Sequence, residues 1–407
     1  MSGEEEIANA ANAATAGGGW LPPDGAALPH YVNPAPFDAM AAETLSQAQE
    51  RVWLASQWQL IWWKFRRHRL AVVSAVFLGL VYLVALFAEW FAPYNYQSRH
   101  VDHIHAPPQA IHLFHNGEFV GPFVYGYDYR LDMETMHRVY TINREKVQPL
   151  RFFCRADRYQ FWGLVEARFH LFCPAIGGHA FLLGTDELGH DLLSRIVEGA
   201  RVSMTIGLLG VLTSIVLGVV LGGLAGYYGG IFDTVLQRIM EVLQSLPTIP
   251  LWLAIAAIIP INWSPLAVYL MITVILGFVE WTGLARAVRS KLLSLREEDY
   301  ILAAELNGAG TARIVGMHLV PGFASHLIAA ASLSIPTMIL GETALSFLGL
   351  GLRPPVTSWG VLLTEAQNIN VVALYPWLIL PVVPVILVVL AFNFLGDGLR
   401  DAADPYR

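Results

Sequence analysis

Few side chains in this chain of 407 residues could do chemistry, and their spacing narrows what they can do. His100, His103, His105, His112 and His115 crowd one polar stretch together with Asp102. His103 and His105 stand two apart, so a β-strand would aim both to one side, a start for a metal site. A solvated, histidine-rich loop explains the same residues with fewer requirements and is the preferred reading. No His-Glu-x-x-His occurs, and the two cysteines lack zinc-pair spacing, which leaves a membrane metalloprotease without support. There is no Gly-x-x-x-x-Gly-Lys-Ser/Thr phosphate loop either; Gly222 to Gly230 is rich in glycine, but no lysine or arginine follows it. The chain is therefore expected to have no catalytic residue, no metal and no cofactor of its own. If it moves cargo by ATP, separate ATPase subunits must dock on it. Glu89, Glu280 and Glu342 are placed near the ends of apolar runs, whereas ion-coupled transport, the competing class, needs ionisable groups near the bilayer midplane.

Composition dictates the elements that would hold these residues. The chain is 55% hydrophobic and only 14% charged, against about 25% charged in an ordinary soluble domain. It reads as an all-α polytopic membrane protein whose first partner is the lipid bilayer. A formal net charge of −7 gives no reason to expect a nucleic-acid partner.

Residues 1–42 carry Glu4, Glu5 and Glu6 among Ala, Gly, Asn and Pro, lack a secretory pattern, and read as a disordered cytoplasmic tail. From 43 to 69, Trp53, Trp58, Trp62 and Trp63 recur beside Gln57 and Gln59, as in an amphipathic helix lying in the headgroup layer. Lys64, Arg66, Arg67 and Arg69 hold the start of a first span, 70–92, in the cytoplasm. Five further spans are expected at 204–228, 243–260, 266–284, 323–340 and 377–395, the second of these five kinked by Pro247 and Pro250. Arg286, Arg289, Lys291, Arg296 and Arg313 crowd the segment 285–321, against a lone Arg353 in 341–376, so the former is read as cytoplasmic and the latter as outside. Six transmembrane helices then leave both termini in the cytoplasm, with 396–407 as a short tail.

The segment 93–201 is large enough for a small domain. Its runs Phe119–Tyr125, Val139–Ile142, Leu150–Cys154 and Tyr159–Leu171 are aromatic and β-branched, bounded by Gly, Pro and Asp, which predicts an inserted β-rich extracytoplasmic domain. Its rings are read as a core, with a ligand-facing role as the alternative. Cys154 and Cys173 both fall here; a disulfide can form if the segment is extracytoplasmic, and two buried free thiols are the alternative.

Tyr300 to Pro321 forms a polar island between two apolar runs. Asp299 suits an N-cap, Leu302 to Leu306 are good helix formers, and Gly308 suits a left-handed turn. Thr311 can cap a second helix and Pro321 can end it. The spacing of Ala303, Ala304, Gly308 and Pro321 resembles the EAA loop of ABC importer permeases, with Leu302 where that family usually has Glu and Val320 where it usually has Leu. Three more stretches resemble the oligopeptide/dipeptide branch. One holds Gly184, Thr185, Asp186, Gly189, Asp191, Ser194 and Arg195, with His190 for the usual arginine; Leu183–Arg195 is expected to be an amphipathic helix. The others run from Glu342 to Gly351 and, in the sixth span and final tail, through Asn393 and Asp397.

The resemblance implies an inner-membrane permease subunit working by alternating access. Its implied partners are a sister permease, two cytoplasmic ATPases that use ATP and Mg, and an extracytoplasmic solute-binding protein. Peptides are the favoured cargo, with oligosaccharides or nickel as alternatives in the same class. The loop would couple to the ATPase through Tyr300, Ala303, Ala304, Glu305, Gly308, Arg313, His318 and Pro321, with Arg296, Glu305 and Arg313 setting orientation.

Overall fold

The computed structural model describes residues 54–134, 137–260 and 262–403. The expected tail at 1–42, the first part of the interfacial segment and the final residues 404–407 lie outside them. Helix α1 (Gln57–Arg67) is separated from α2 (Arg69–Leu86) by His68. The His68 ring accepts a hydrogen bond from the Ala71 amide at 3.1 Å, capping α2, so the interfacial helix does not run on to residue 69. On α2 only Ala71, Ser74, Leu78 and Ala85 are buried, one stripe at helical spacing. Phe77, Val81 and Tyr82 pack beside that stripe, while Leu70, Val73, Val76, Leu80, Leu83 and Leu86 are exposed, as a helix with one face to lipid requires. The expected span 70–92 stops at Leu86; a break at Phe87 precedes the short α3 (Ala88–Phe91).

The chain then leaves the helical body. Strands β1 (His112–His115), β2 (Glu118–Leu131) and β3 (Arg138–Pro149) form an antiparallel sheet in that order, and β4 (Arg151–Phe161) pairs with β5 (Val165–Cys173) as a separate hairpin. Cys154 and Cys173 are joined by a disulfide within that hairpin. The aromatic rings do not all form a core. Phe123 and Tyr159 are buried, but Phe114, Phe119, Phe152 and Phe153 are more than half exposed. The two thin sheets leave these rings open, with no second layer over them among the described residues.

Two segments running side by side connect this region to the helices. The amides of His100, His105 and Gln109 donate to the carbonyls of Gly189, Asp186 and Phe181 at 2.9, 3.1 and 3.0 Å, and the Thr185 amide returns a bond to Ala106 at 3.0 Å. The stretch 183–191 is thus an ordered loop and not the expected helix. Helix α4 (Leu192–Tyr228) starts only after Asp191, whose carboxylate caps the Ser194 amide at 2.8 Å. The second long helix therefore begins well before residue 204, and its 37 residues span about 55 Å at 1.5 Å each, more than a ~30 Å hydrocarbon core.

The expected third span is two helices, α5 (Gly230–Ser245) and α6 (Thr248–Ala256), bent by 92°. Leu246 is extended between them, the conformation a following proline imposes. Helix α7 (Pro265–Leu295) outlasts the expected end at 284 by about three turns and packs along α4. Gly218, Gly222 and Gly226 form the contact stripe. A Cβ on Gly222 would stand 2.3 Å from the Ala285 carbonyl oxygen, so the two backbones touch there.

After the loop described below come α9 (Ala324–Phe347), α10 (Trp359–Thr364) and α11 (Val382–Ala403), α8 being the loop's own helix. Two expectations shift. Glu342 lies inside α9 and not in the loop after it, and residues 396–403 continue α11 instead of forming a tail. The described residues thus contain five helices long and apolar enough to cross a membrane, or six if the bent pair counts as one.

Candidate coupling site

The loop after α7 contains α8 (Asp299–Leu306) followed by a helical run from Thr311 to Gly322. Glu298, one residue earlier than expected, is the N-cap of α8 and makes no side-chain capping bond. Asn307 closes the helix by donating to the Ala303 carbonyl at 2.8 Å. Gly308 has φ +78°, the left-handed turn expected of it. Gly310, not Thr311, caps the second run, and Pro321 sits at the start of a last helical turn; the break falls at Phe323.

Ile301, Ile314 and Leu319 are fully buried against Val288, Leu292 and Phe323, which seats the loop on the end of α7. The opposite face of α8 is open. Tyr300, Leu302 and Leu306 are exposed, Leu306 by 89%, beside exposed Ala303 and half-buried Ala304. This is a small apolar surface that nothing among the described residues covers. Gly308 and Arg313 are exposed too, His318 is half-buried, and Pro321 is exposed at the far end.

Glu305 is exposed, yet it is engaged within its own chain. Its carboxylate accepts a 2.8 Å hydrogen bond from Tyr227 at the end of α4, while the Tyr228 hydroxyl lies 3.2 Å from that of Thr311. Neither tyrosine was singled out in the sequence; the signal was an aromatic pair directly before Gly229-Gly230 at the end of an apolar run.

The second set of expected residues converges elsewhere, at the root of the β region. Gly184, Thr185, Asp186, Gly189, Asp191, Ser194 and Arg195 form one network. Asp186 accepts from His190 Nδ1 at 2.7 Å and from the Arg195 guanidinium. Arg195 also reaches Glu365 at 3.2 Å, and Trp377 donates to the Thr185 carbonyl at 3.0 Å. Gly189 has φ +78°, and a Cβ there would collide with the His100 carbonyl at 2.3 Å. Burial alone would push the Asp186 carboxyl up; hydrogen bonding from His190 and the Arg195 charge outweigh it and hold the group below the usual carboxylate range. Glu365 shares the same guanidinium and loses the contest. Burial, with Asp186 adding its repulsion, pushes it up to about 7.

The histidines do not lie on one strand. Val101–His103 is a short turn, and the rings of His100, His103 and His179 gather round Phe181, while His105 stacks on Tyr375 at 4.0 Å. Burial pushes His100 and His103 down to about 4, the neighbouring His179 adding to the effect. Among the described residues no three His, Cys, Asp or Glu are placed to share a metal ion.

Glu342 forms a third site, fully buried between α4, α9 and the start of α10. Its carboxylate accepts from the hydroxyls of Ser346 at 2.7 Å, Ser358 at 2.6 Å and Ser203 at 3.2 Å. Each serine in turn accepts a backbone N–H, from Leu352, Val361 and Trp359 respectively. Asn393 is half-buried and Asp397 exposed on α11, apart from all three networks.

Long apolar helices and a loop seated on the longest helix pair fit a membrane permease, and its relatives give the class, a non-catalytic permease subunit of an ABC transporter. Residues 218–406 match the family described as the binding-protein-dependent transport system inner membrane component, and residues 56–108 match the N-terminal transmembrane domain of oligopeptide transport permease C. The oligopeptide transport system permease protein OppC of Salmonella typhimurium is 42% identical over 246 residues, covering 60% of this chain and 76% of the relative. The di/tripeptide transport system permease protein DppC of Pseudomonas aeruginosa is 38% identical over 231 residues, 56% of this chain and 74% of its own. The OppC of Bacillus subtilis is 27% identical over 373 residues, 91% of this chain and 95% of the relative. The chain belongs to the OppC/DppC family of multi-pass inner-membrane permeases. Such systems depend on a binding protein and on partner ATPases that use ATP.

Proposed function

We propose that this chain forms one half of the membrane pathway of a peptide importer, beside a sister permease, with two ATPases below and a peptide-loaded binding protein above. The uncovered face of α8 carries this reading: Tyr300, Leu302, Ala303 and Leu306 offer an apolar surface with small residues at its centre, suited to a groove on an ATPase. Force applied there reaches two places. Ile301 and Ile314 press on α7, and Glu305 pulls on α4 through Tyr227. Since α4 and α7 touch backbone to backbone at Gly222, closure of the ATPases would rock them as one body and alternate access to the pathway. Arginine-rich flanks favour a cytoplasmic loop, which puts the β region outside, where it can receive the binding protein. The relatives named for oligopeptide and di/tripeptide transport favour peptides over sugars or nickel.

The test is Ala304→Trp in the assembled transporter. It should abolish ATPase co-purification and ATP-driven peptide uptake while membrane insertion stays intact. Normal uptake by this variant would refute the coupling role.

A further inference from the structure

A crevice of about 630 Å³ opens between the β4–β5 hairpin and the ends of α3 and α4, far along the chain from the coupling loop. Its inner wall holds two carboxylates and one guanidinium. Arg201 donates to Glu89 at 2.7 Å and to Glu198 at 3.3 Å, and its Nε donates to the Ala85 carbonyl at 3.0 Å. The three side chains are 10–14% exposed, and two carboxylates share one guanidinium. Burial, with Glu89 adding its repulsion, pushes the Glu198 carboxyl up to about 6, and a bound cation relieves the cost of holding both carboxylates charged.

Trp162 closes this wall. Its backbone amide donates to Glu89 at 3.1 Å, its indole N–H to the Leu86 carbonyl at 3.0 Å, and its ring lies 4.6 Å from the Arg201 guanidinium carbon. An aromatic face beside carboxylates is suited to an ammonium group. The outer rim differs. Arg158 lines it from β4 and Glu166 from β5; both are exposed, and among the described residues neither forms a salt bridge. Between wall and rim, Gln97 and Tyr96 supply hydrogen-bonding groups, held to each other at 2.9 Å.

We propose that this crevice is a binding site for a short zwitterionic peptide, its ammonium end at the Glu89–Glu198 wall and its carboxylate at Arg158. The volume lies within the ~300–1,000 Å³ range of small-molecule sites. A single amino acid would leave much of it empty, whereas a peptide of a few residues separates the two charges enough to reach wall and rim together. The site takes its probe from the peptide reading but does not depend on the coupling loop. Uptake by the assembled transporter tests that reading separately.

The experiment is calorimetric titration of the full chain in nanodiscs with trialanine, its N-acetylated form and its C-terminal amide. Trialanine should bind saturably, and blocking either end should weaken it about tenfold, the worth of one charge-assisted hydrogen bond. Arg158→Ala should weaken trialanine by a similar factor and leave the amide unaffected. Glu198→Gln should weaken trialanine and leave the N-acetyl form unaffected, whereas Glu166→Gln, on the rim beside the carboxylate end, should not weaken trialanine. Absence of saturable binding, or equal affinity for free and blocked peptides, overturns the proposal. Tighter binding of glycerophosphoethanolamine than of trialanine also overturns it, because the occupant would then be a lipid headgroup.

Discussion

Replacing Glu342 by alanine should loosen the junction of α4, α9 and α10 far more than replacing it by glutamine. The carboxylate accepts three serine hydroxyls, and every one of those serines already uses its oxygen to hold a backbone amide of the segment 352–361. Alanine removes all three acceptors at once and leaves three buried hydroxyls with no partner for their protons. An unmade buried hydrogen bond costs about 1–3 kcal/mol, and some is recovered because no carboxylate need be buried, so a net loss of about 3–5 kcal/mol follows. Glutamine keeps an oxygen where Ser346 and Ser358 donate and forces only Ser203 to turn, for about 1 kcal/mol. At roughly 2 °C per kcal/mol for a chain of this size, the apparent unfolding midpoint should fall by about 6–10 °C for Glu342→Ala and about 2 °C for Glu342→Gln. The assay is thermal unfolding in detergent, followed by limited proteolysis of residues 348–358, which should be cut faster in the alanine variant alone. Equal losses for the two variants, or an undisturbed midpoint with alanine, would refute the account of Glu342 as an acceptor hub.

Gly222→Leu should destabilise the chain by about 2–3 kcal/mol, since its Cβ would lie 2.3 Å from the Ala285 oxygen, while Gly79→Leu, with nothing within 4 Å, should be neutral in the same melt. Glu365→Gln should gain stability relative to the native chain as pH rises from about 4.5 to 7. A carboxyl pushed up to about 7 on folding contributes stability below its unfolded value and loses it as pH passes through the folded one. A variant that loses ground over that window would show the Arg195 pairing to be the larger effect. His100 and His103 act in the other direction. Pushed down to about 4, they resist protonation, so the native chain should lose stability as pH falls from about 6.5 toward 4, and His103→Phe should flatten that slope in pH-dependent melts. Tyr227→Phe should leave ATPase docking intact and lower peptide uptake per ATP hydrolysed; an unchanged ratio would remove the Glu305–Tyr227 link from the force path.

Much of the helical body was legible because lipid demands long apolar runs, and the arginine clusters marked their ends. The strands were legible from their aromatic and β-branched runs. What escaped reading depended on partners distant in sequence. The charged Glu198 and Arg201 set the expected start of the second span at 204, yet both lie within α4, with Arg201 matched by Glu89 112 residues away. Leu183–Arg195 has the composition of an amphipathic helix, but Gly189 fits only the tight turn against His100. At the coupling loop the spacing of Ala303, Ala304 and Gly308 was visible, whereas the bond between Glu305 and Tyr227 was not, since nothing local distinguishes a free surface glutamate from one that accepts a distant hydroxyl.

The paired segments at the root of the β region bear on how such a chain can change over time. Gln109 and Phe181 lie hydrogen-bonded side by side, so everything between them departs from and returns to nearly the same point. A stretch attached in this way can lengthen or shrink between its two ends, provided Trp162 keeps its bonds to Leu86 and Glu89. The same point is a natural splice junction: a reporter or an affinity handle inserted there would inherit a closed base.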